Sequence, residues 1–362
     1  MKNILFISQW LAIGGTETFM MNVLRNVNKD KYHIDFLIFS NSSSNYSIEA
    51  ESRGCTIYRL PPRSKGITYY IELRKFFKEE AKTYHVIHFC GGNVSSIAPI
   101  YYAWKYNIPV RIIHSHSTNS IGFVNKTLHL TNRYLLRVLG NEYLACSSSA
   151  AKYFFGNQDV YIVKNGISTD VYNYSSENRT KIREAFHIKE STHVLGHIGR
   201  FDDNKNQSFL IDILKHYQQI HEDACLILIG EGPQENRIKN KCKELEISKN
   251  VLFLGMRKDI HELLSAMDCF IMPSYFEGLP FVLIEAQATG LPCVVSDSIG
   301  TDSKMSRHFS FLSLNSPLTE WVSTIRNHII NVENRKEGVD CIIKAGYDIK
   351  STIEYLEKLY DK

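Results

Sequence analysis

Short runs of β-branched and other apolar residues alternate with longer stretches of helical periodicity along almost the whole chain. In the first half, Ile4–Ile7, Ile34–Phe39, Thr56–Tyr58, Val86–Phe89, Val110–Ile113 and Tyr143–Cys146 read as buried strands, with helical patterns in the gaps. The same rhythm restarts at Val194–Ile198 and continues through Cys225–Ile229, Val251–Leu254, Cys269–Met272 and Cys293–Ser296. Strands that are apolar throughout, separated by helices, imply βαβ units and parallel sheets covered on both faces. From Trp321 to Tyr360 the pattern is helical only. The expected fold class is α/β, with two doubly wound Rossmann-like domains and helices at the end of the chain.

Asn165-Gly166 followed by the polar, turn-rich Ser168–Glu177 is the expected connection. The expected division is 1–165, then 166–340, with a final helix at 341–362 packing back on the first domain. Two open α/β sheets facing each other bring their strand carboxyl ends to a shared crevice, where such sheets bind ligands, so the site is expected to draw on both halves.

A chain of 362 residues is too long for one typical core, which agrees with two domains. Its eight cysteines stand singly with no C-x-x-C, so neither a zinc cluster nor a disulfide scaffold is expected, and the reading is a reduced, cytoplasmic protein. No apolar run approaches the roughly 18–20 residues of a spanning helix. The opening Ile4–Ile7 reads as a first strand rather than a signal peptide, since Ser8 and Gln9 break the run.

Charge is unevenly divided. Residues 1–165 hold 19 Lys and Arg against 10 Asp and Glu, leaving 23 against 28 in the remainder. The positives gather at Arg59, Arg63, Lys65, Arg74, Lys75, Lys78 and Lys82, with Tyr69, Tyr70, Phe76 and Phe77 interleaved, a pattern that suits an anionic membrane surface or equally a solvated helix with its aromatics in the core. No nucleic-acid-binding motif is present, so nucleic acid is not an expected partner.

Three strand-to-helix junctions carry the candidate chemistry. Gly14-Gly15-Thr16-Glu17 follows the first strand, where glycines admit close backbone approach and a helix start offers free N–H groups to an anion, although a plain tight turn reads equally well. Gly199-Arg200 through Lys205 follows the strand that opens the second half, placing a donor fork and a point charge suited to a diphosphate, or else forming a helix-entry loop with solvated charges. Ser274-Tyr275-Phe276-Glu277-Gly278-Leu279-Pro280 leads into an apolar helix with Pro280 at its expected first position and Glu285 inside. A carboxylate in such a helix is costly to bury unless paired, and the vicinal hydroxyls of a ribose suit it, although a place on a solvated helix face reads equally well from Glu285 alone. The dinucleotide fingerprint G-x-G-x-x-G is absent, which argues against a nicotinamide enzyme.

With Glu277 and Glu285 as an E-x7-E motif, and with Gly199-Arg200 to Lys205, Asn165-Gly166-Ile167, Gly230-Glu231-Gly232-Pro233 and Gly14-Gly15-Thr16-Glu17, the chain resembles the retaining glycosyltransferases of family 4, which have the GT-B fold. The resemblance runs from residue 1 to about 300 and is most specific in the second half. It implies assembly of capsule, exopolysaccharide or lipopolysaccharide O-antigen. The implied reaction moves a hexose or N-acetylhexosamine from a nucleotide-sugar, a UDP-sugar by the family's habit with GDP as the alternative, to a lipid-linked or other saccharide acceptor. It implies that Arg200 and Lys205 grip the donor diphosphate, Glu285 holds the ribose and Glu277 touches the transferred sugar. Gly278 and Leu279 would add backbone contacts, Arg257 would line the base, Gly15 would approach the phosphates and His116 would stand near the reacting carbon.

His114 and His116 alternate near a strand end, so at most one of them is expected at the site. Where relatives often carry a second histidine, this chain has Cys90. With no D-x-D and no metal-ligand spacing, neither a metal nor another cofactor is expected. A front-face displacement helped by fixed donors is the implied mechanism, with location in the cytoplasm or at the inner face of its membrane. The competing readings are a catalytically silent nucleotide-sugar-binding subunit and a nucleotide-sugar epimerase on the same fold.

Overall fold

The structure, a computed structural model, describes residues 1–12, 14–117, 123–277, 279–330 and 335–362. The chain forms two compact units, Met1–Gly166 together with Asp348–Lys362, and Ile167–Tyr347.

The first unit runs β1 (Lys2–Ser8), α1 (Gly15–Asn26), β2 (Tyr32–Ile38), α2 (Asn45–Ser52), β3 (Ile57–Arg59), α3 (Ile67–Glu80), β4 (Val86–Gly91), α4 (Ala98–Lys105), β5 (Val110–Ser115), α5 (Phe123–Leu139), β6 (Glu142–Ala145), α6 (Ser148–Phe155) and β7 (Tyr161–Ile162). The second runs α7 (Ser176–Ala185), β8 (His193–Ile198), α8 (Gln207–Tyr217), β9 (Ala224–Ile229), α9 (Glu235–Glu244), β10 (Val251–Phe253), α10 (Ile260–Ala266), β11 (Cys269–Met272), α11 (Phe281–Ala288), β12 (Cys293–Ser296), β13 (Phe309–Leu312), α12 (Leu318–Ile330) and α13 (Gly338–Lys344). Helix α14 (Ile349–Tyr360) returns to the first unit.

Both sheets are parallel, in the orders β3-β2-β1-β4-β5-β6-β7 and β10-β9-β8-β11-β12-β13. Each order reverses once, between β1 and β4 and between β8 and β11. Helices on either side of that reversal lie on opposite faces of the sheet, which opens a crevice at the strand carboxyl ends.

Alternation along the strands sorts the first unit's core. Leu5, Ile7, Leu37, Ile87, Phe89 and Ile113 belong to one cluster with Leu73, Phe76 and Phe77 of α3 and Phe154 of α6. Of the intervening positions, Phe6 stacks on His88, His88 meets the ring of Tyr360 of α14, and His114 meets Phe19 of α1 edge-on. Burying each large apolar side chain contributes roughly 1.5–3 kcal/mol. Tyr69, Phe76 and Phe77 are thus core residues, and of the four aromatics interleaved with the basic run only Tyr70 is exposed. The interleaving marks the inner side of α3, not a mixed basic and aromatic face.

Two strands escape the hydrophobic pattern. β7 has two residues, too few to show a period, and β13 alternates only through Phe309-Ser310-Phe311. The closing segment also divides later than expected, at Asp348 rather than 341, because α13 packs on α11 with Ile342 in a cluster with Ile167, Ile284 and Ala288. Within the first unit α14 is pinned by Lys2 Nζ donating to the Tyr360 carbonyl at 3.1 Å and by Thr352 Oγ1 donating to the Lys164 carbonyl at 3.1 Å. No helix among the described residues is long and apolar enough to cross a membrane.

Candidate active site

In both units most candidate residues stand at the carboxyl ends of the strands that flank the reversal, or one strand beyond, whereas Arg257 follows β10, two strands beyond β8. Gly15 opens α1 after β1, and His116 follows β5. Arg200 and Lys205 follow β8, and Glu277 follows β11.

In the second unit the loop after β8 is stitched to the loop after β11. The Lys205 ammonium lies 2.6 Å from Glu277 Oε1, and both side chains are mostly buried. Asn204 ties the same two loops: its Nδ2 donates to the Phe276 carbonyl at 2.8 Å and to Glu277 Oε1 at 3.1 Å, its Oδ1 accepts from Phe276 N–H, and its carbonyl accepts from Tyr275 N–H. The Asp202 carboxylate accepts from Lys205 N–H at 3.1 Å, bending the loop back before α8. Arg200 stays exposed, with its carbonyl held by Gln207 Nε2 at 2.8 Å. Below, His197 bonds the Ile271 carbonyl through Nδ1 at 2.8 Å, and burial pulls its pKa down to about 4, so it is neutral.

The glycines after β9 let a third loop close on this one. Gly230 has φ +131, and a Cβ there would stand 2.1 Å from the Gly199 carbonyl oxygen. A Cβ on Gly232 would meet the Phe201 backbone at 2.3 Å, and Phe201 N–H donates to the Glu231 carbonyl at 3.0 Å. These are contacts that only glycine allows.

Pro280 is the residue that caps α11, not its first helical residue, so the helix starts at Phe281 with no side-chain cap. Glu285 lies in its second turn, half-buried. Desolvation pushes its pKa up to about 7, and a hydrogen bond from Tyr172 pulls the other way. Leu279 is half-buried against the cluster of Ile167, Ile284 and Tyr347. Gly278 lies outside the described residues. Arg257 is engaged locally, as Nε and Nη2 grip the two oxygens of Asp259 at 2.9 and 2.5 Å, which holds that carboxyl below its usual pKa.

In the first unit, Gly14 caps α1 with extended backbone, and a Cβ on Gly15 would meet nothing within 4 Å. Glu17 is buried, accepts from Ser8 Oγ at 3.5 Å and has its pKa pushed up to about 7 by desolvation. The two histidines do not point apart as alternation suggests. β5 ends at Ser115, and the His116 ring folds back to 4.1 Å from that of His114, with Phe19 4.9 Å away. Both His116 ring nitrogens are buried without a hydrogen-bond partner among the described residues, and burial lowers its pKa to about 3. Among the described residues one set of side chains has metal-ligand spacing, with His88, Cys90 and His114 offering atoms within 4.8 Å of one another. The two histidines of this set are already joined, His88 Nε2 to His114 Nδ1 at 3.2 Å, and burial raises the Cys90 thiol well above its usual pKa.

Asn204, His197, Tyr172, Glu17 and His88 were not singled out in the sequence. Asn204 adjoins Lys205, but only the folded chain brings it to Glu277. Glu17, His88 and His197 carry a signal, a polar residue in or beside an apolar run, that does not say what it faces.

With this geometry in place, the comparisons define the class. Residues 178–315 match the family described as Glycosyl transferases group 1. A putative glycosyltransferase, EpsF, from Bacillus subtilis is 29% identical over 99% of this chain and 96% of its own length. UDP-Gal:alpha-D-GlcNAc-diphosphoundecaprenol alpha-1,3-galactosyltransferase from Escherichia coli is 26% identical over 56% of this chain and 54% of its own. Anabaena Alr3699/HepE, solved in complex with UDP, superposes with a TM-score of 0.79 at 19% identity over 99% of both chains.

The two parallel-sheet units are those of the GT-B fold. The protein is a glycosyltransferase, and the segment that is similar to the group 1 family carries Arg200, Lys205, Glu277 and Glu285.

Proposed function

We propose that the protein is a retaining glycosyltransferase that moves a hexose or N-acetylhexosamine from a UDP-sugar to a lipid-linked saccharide in cell-surface polysaccharide assembly. The observation that carries this reading is the joined pair Lys205 and Glu277 beside exposed Arg200, a cationic and a carboxylate group side by side at the sheet reversal of the group 1 domain. A UDP complex of a GT-B neighbour and the UDP-Gal donor and diphosphoundecaprenol acceptor in a relative's name support the donor and acceptor. That relative's alpha linkage supports retention, since UDP-galactose is itself an α-glycoside.

In this reading Arg200 and Lys205 hold the diphosphate, Glu285 the ribose and Glu277 the sugar hydroxyls. Leu279 and Gly278 add backbone contacts, and Arg257 turns from Asp259 to the base. The first unit supplies Gly15 to the phosphates and His116 to the sugar. The acceptor oxygen bonds to the anomeric carbon on the face from which the diphosphate leaves. The C–O bond to phosphate breaks with its electron pair on the phosphate oxygen, which takes the acceptor's proton. Charge growing on the diphosphate is stabilised by fixed donors, so neither a protein nucleophile nor a resident metal or other cofactor is called for.

The enzyme would work in the cytoplasm at the inner face of the membrane. Support comes from exposed Ile67, Tyr70 and Ile71 of α3, Trp104 of α4 and Tyr134, Leu135 and Val138 of α5, helices that pack in sequence and carry Arg74, Lys105 and Arg137. Such mixed surfaces suit anionic lipid.

Incubation with UDP-sugars and a polyprenyl-diphosphate saccharide, with UDP release and the product's anomeric configuration read by NMR, tests the reading. An α product from an α donor supports it. UDP binding without transfer would make the protein a silent subunit, isomerised nucleotide-sugar would make it an epimerase, and tighter GDP than UDP binding in calorimetry would change the donor.

A further inference from the structure

A hydrogen-bonded chain runs through the first unit from α14 to the end of β5. The Tyr360 hydroxyl lies 3.0 Å from His88 Nδ1, and His88 Nε2 lies 3.2 Å from His114 Nδ1. All three side chains are buried. The remaining nitrogen, His114 Nε2, is buried with no hydrogen-bond partner among the described residues, 4.1 Å ring to ring from His116.

The direction of this chain follows from proton bookkeeping. A neutral imidazole carries one N–H and one lone pair. Burial holds both histidines well below the usual imidazole pKa, so both are neutral, and it keeps the Tyr360 hydroxyl protonated. If Tyr360 donates to His88 Nδ1, the His88 proton sits on Nε2 and is donated to His114 Nδ1, which leaves the His114 proton on Nε2. One group then lacks a partner. In the opposite direction two would, the Tyr360 O–H and the His114 Nε2 lone pair, and each buried unsatisfied group is destabilising.

We propose that Tyr360, His88 and His114 form a tautomer relay that fixes His114 Nε2–H as a donor for an oxygen of the bound substrate, on a phosphate or a sugar. The inference rests on the transferase reading above. His114 binds, whereas His88 and Tyr360 are positioning residues. A buried N–H without a partner is rare in native proteins, and one beside His116 at the strand ends is accounted for by a ligand oxygen. The closing helix thereby has a chemical task as well as a packing one.

Long-range proton–nitrogen correlation spectra of the full chain labelled with 15N-histidine test the relay directly. The wild type is expected to show His88 and His114 as neutral Nε2–H tautomers from about pH 5.5 to 8. Tyr360→Phe is expected to release His88 into mixed tautomers and to lower kcat more than the donor KM. His114→Ala is expected to lower kcat by about 10²-fold, with His114→Gln, which keeps a donor at the Nε2 position, recovering part of it. A shift of His114 Nε2 on adding UDP alone assigns a phosphate oxygen, and a shift that needs the intact UDP-sugar or the saccharide assigns a sugar oxygen. No shift with any of them overturns the ligand role.

Nδ1–H tautomers in the wild type overturn the relay. So does zinc binding at His88, Cys90 and His114 that removes the His88–His114 signal. Because the wild-type spectrum requires neither turnover nor a folded variant, relay tautomers in a protein that transfers no sugar would sink the transferase reading alone.

Discussion

Lys205 Nζ lies 2.6 Å from Glu277 Oε1, although the two residues are assigned to different parts of the donor. An ammonium has three donors, so Lys205 keeps two beside Glu277 for the phosphate oxygen that the proposed function gives it. Lys205→Ala is expected to lower kcat/KM by about 10²–10³-fold, because it removes a fixed donor and leaves Glu277 with Asn204 but no counter-charge. Glu277→Gln should also lose transfer but bind UDP at least as tightly as the wild type, since the lysine charge is then released. Calorimetry beside initial rates decides, and weaker UDP binding by Glu277→Gln would show that the carboxylate holds the lysine in place instead of competing for it.

The raised pKa of Glu285 makes a pH prediction with a definite sign. Its folded-state value, about 7, lies above the ordinary 4.5, so the native state binds more protons than the unfolded chain between those values. Its contribution to stability is complete below about pH 4.5 and is lost as pH rises through about 7. Glu285→Gln should therefore be relatively more stable at pH 8 than at pH 5, each compared with wild type by urea unfolding. An unchanged difference across that range would show that the carboxyl is ionised throughout.

Gly230→Ala tests whether the third loop sets the shape of the second. At φ +131, with a Cβ 2.1 Å from the Gly199 carbonyl oxygen, alanine must push the Arg200 loop away. The expected outcome is weaker UDP binding together with a loss of stability in the range of 1–3 kcal/mol typical of overpacking. Unaltered UDP affinity would separate the Gly230 loop from the phosphate site.

Asp268 carries a purely structural prediction. It accepts from Arg183 at 2.7 Å, with Arg183 fully buried, and from Arg179 at 2.9 Å. Asp268→Ala would strand a buried guanidinium and is expected to destabilise the second unit by about 3–5 kcal/mol. Urea unfolding followed by circular dichroism checks this. A loss below about 1 kcal/mol would mean that the backbone carbonyls bonded to Arg183 suffice.

Most of the architecture was legible because parallel strands buried on both faces must be apolar throughout, and helices between them must be amphipathic. That constraint is local and repeats, so eleven runs read from the chain correspond to strands of the two sheets. It failed at β7, too short for a period, and at β13, where Ser310 interrupts the apolar run. Glycines and charges just past strand ends were likewise visible, since a strand-to-helix turn that approaches a ligand restricts residue type within a few positions.

Partnership was beyond the sequence. Lys205 meets Glu277 across 72 positions, Tyr360 meets His88 across 272, and His116 folds back on His114 because β5 stops one residue earlier. Periodicity states which side of an element a residue occupies. The protonation of a buried carboxyl or imidazole depends on the groups that face it from elsewhere in the chain, and only the tertiary structure decides which those are.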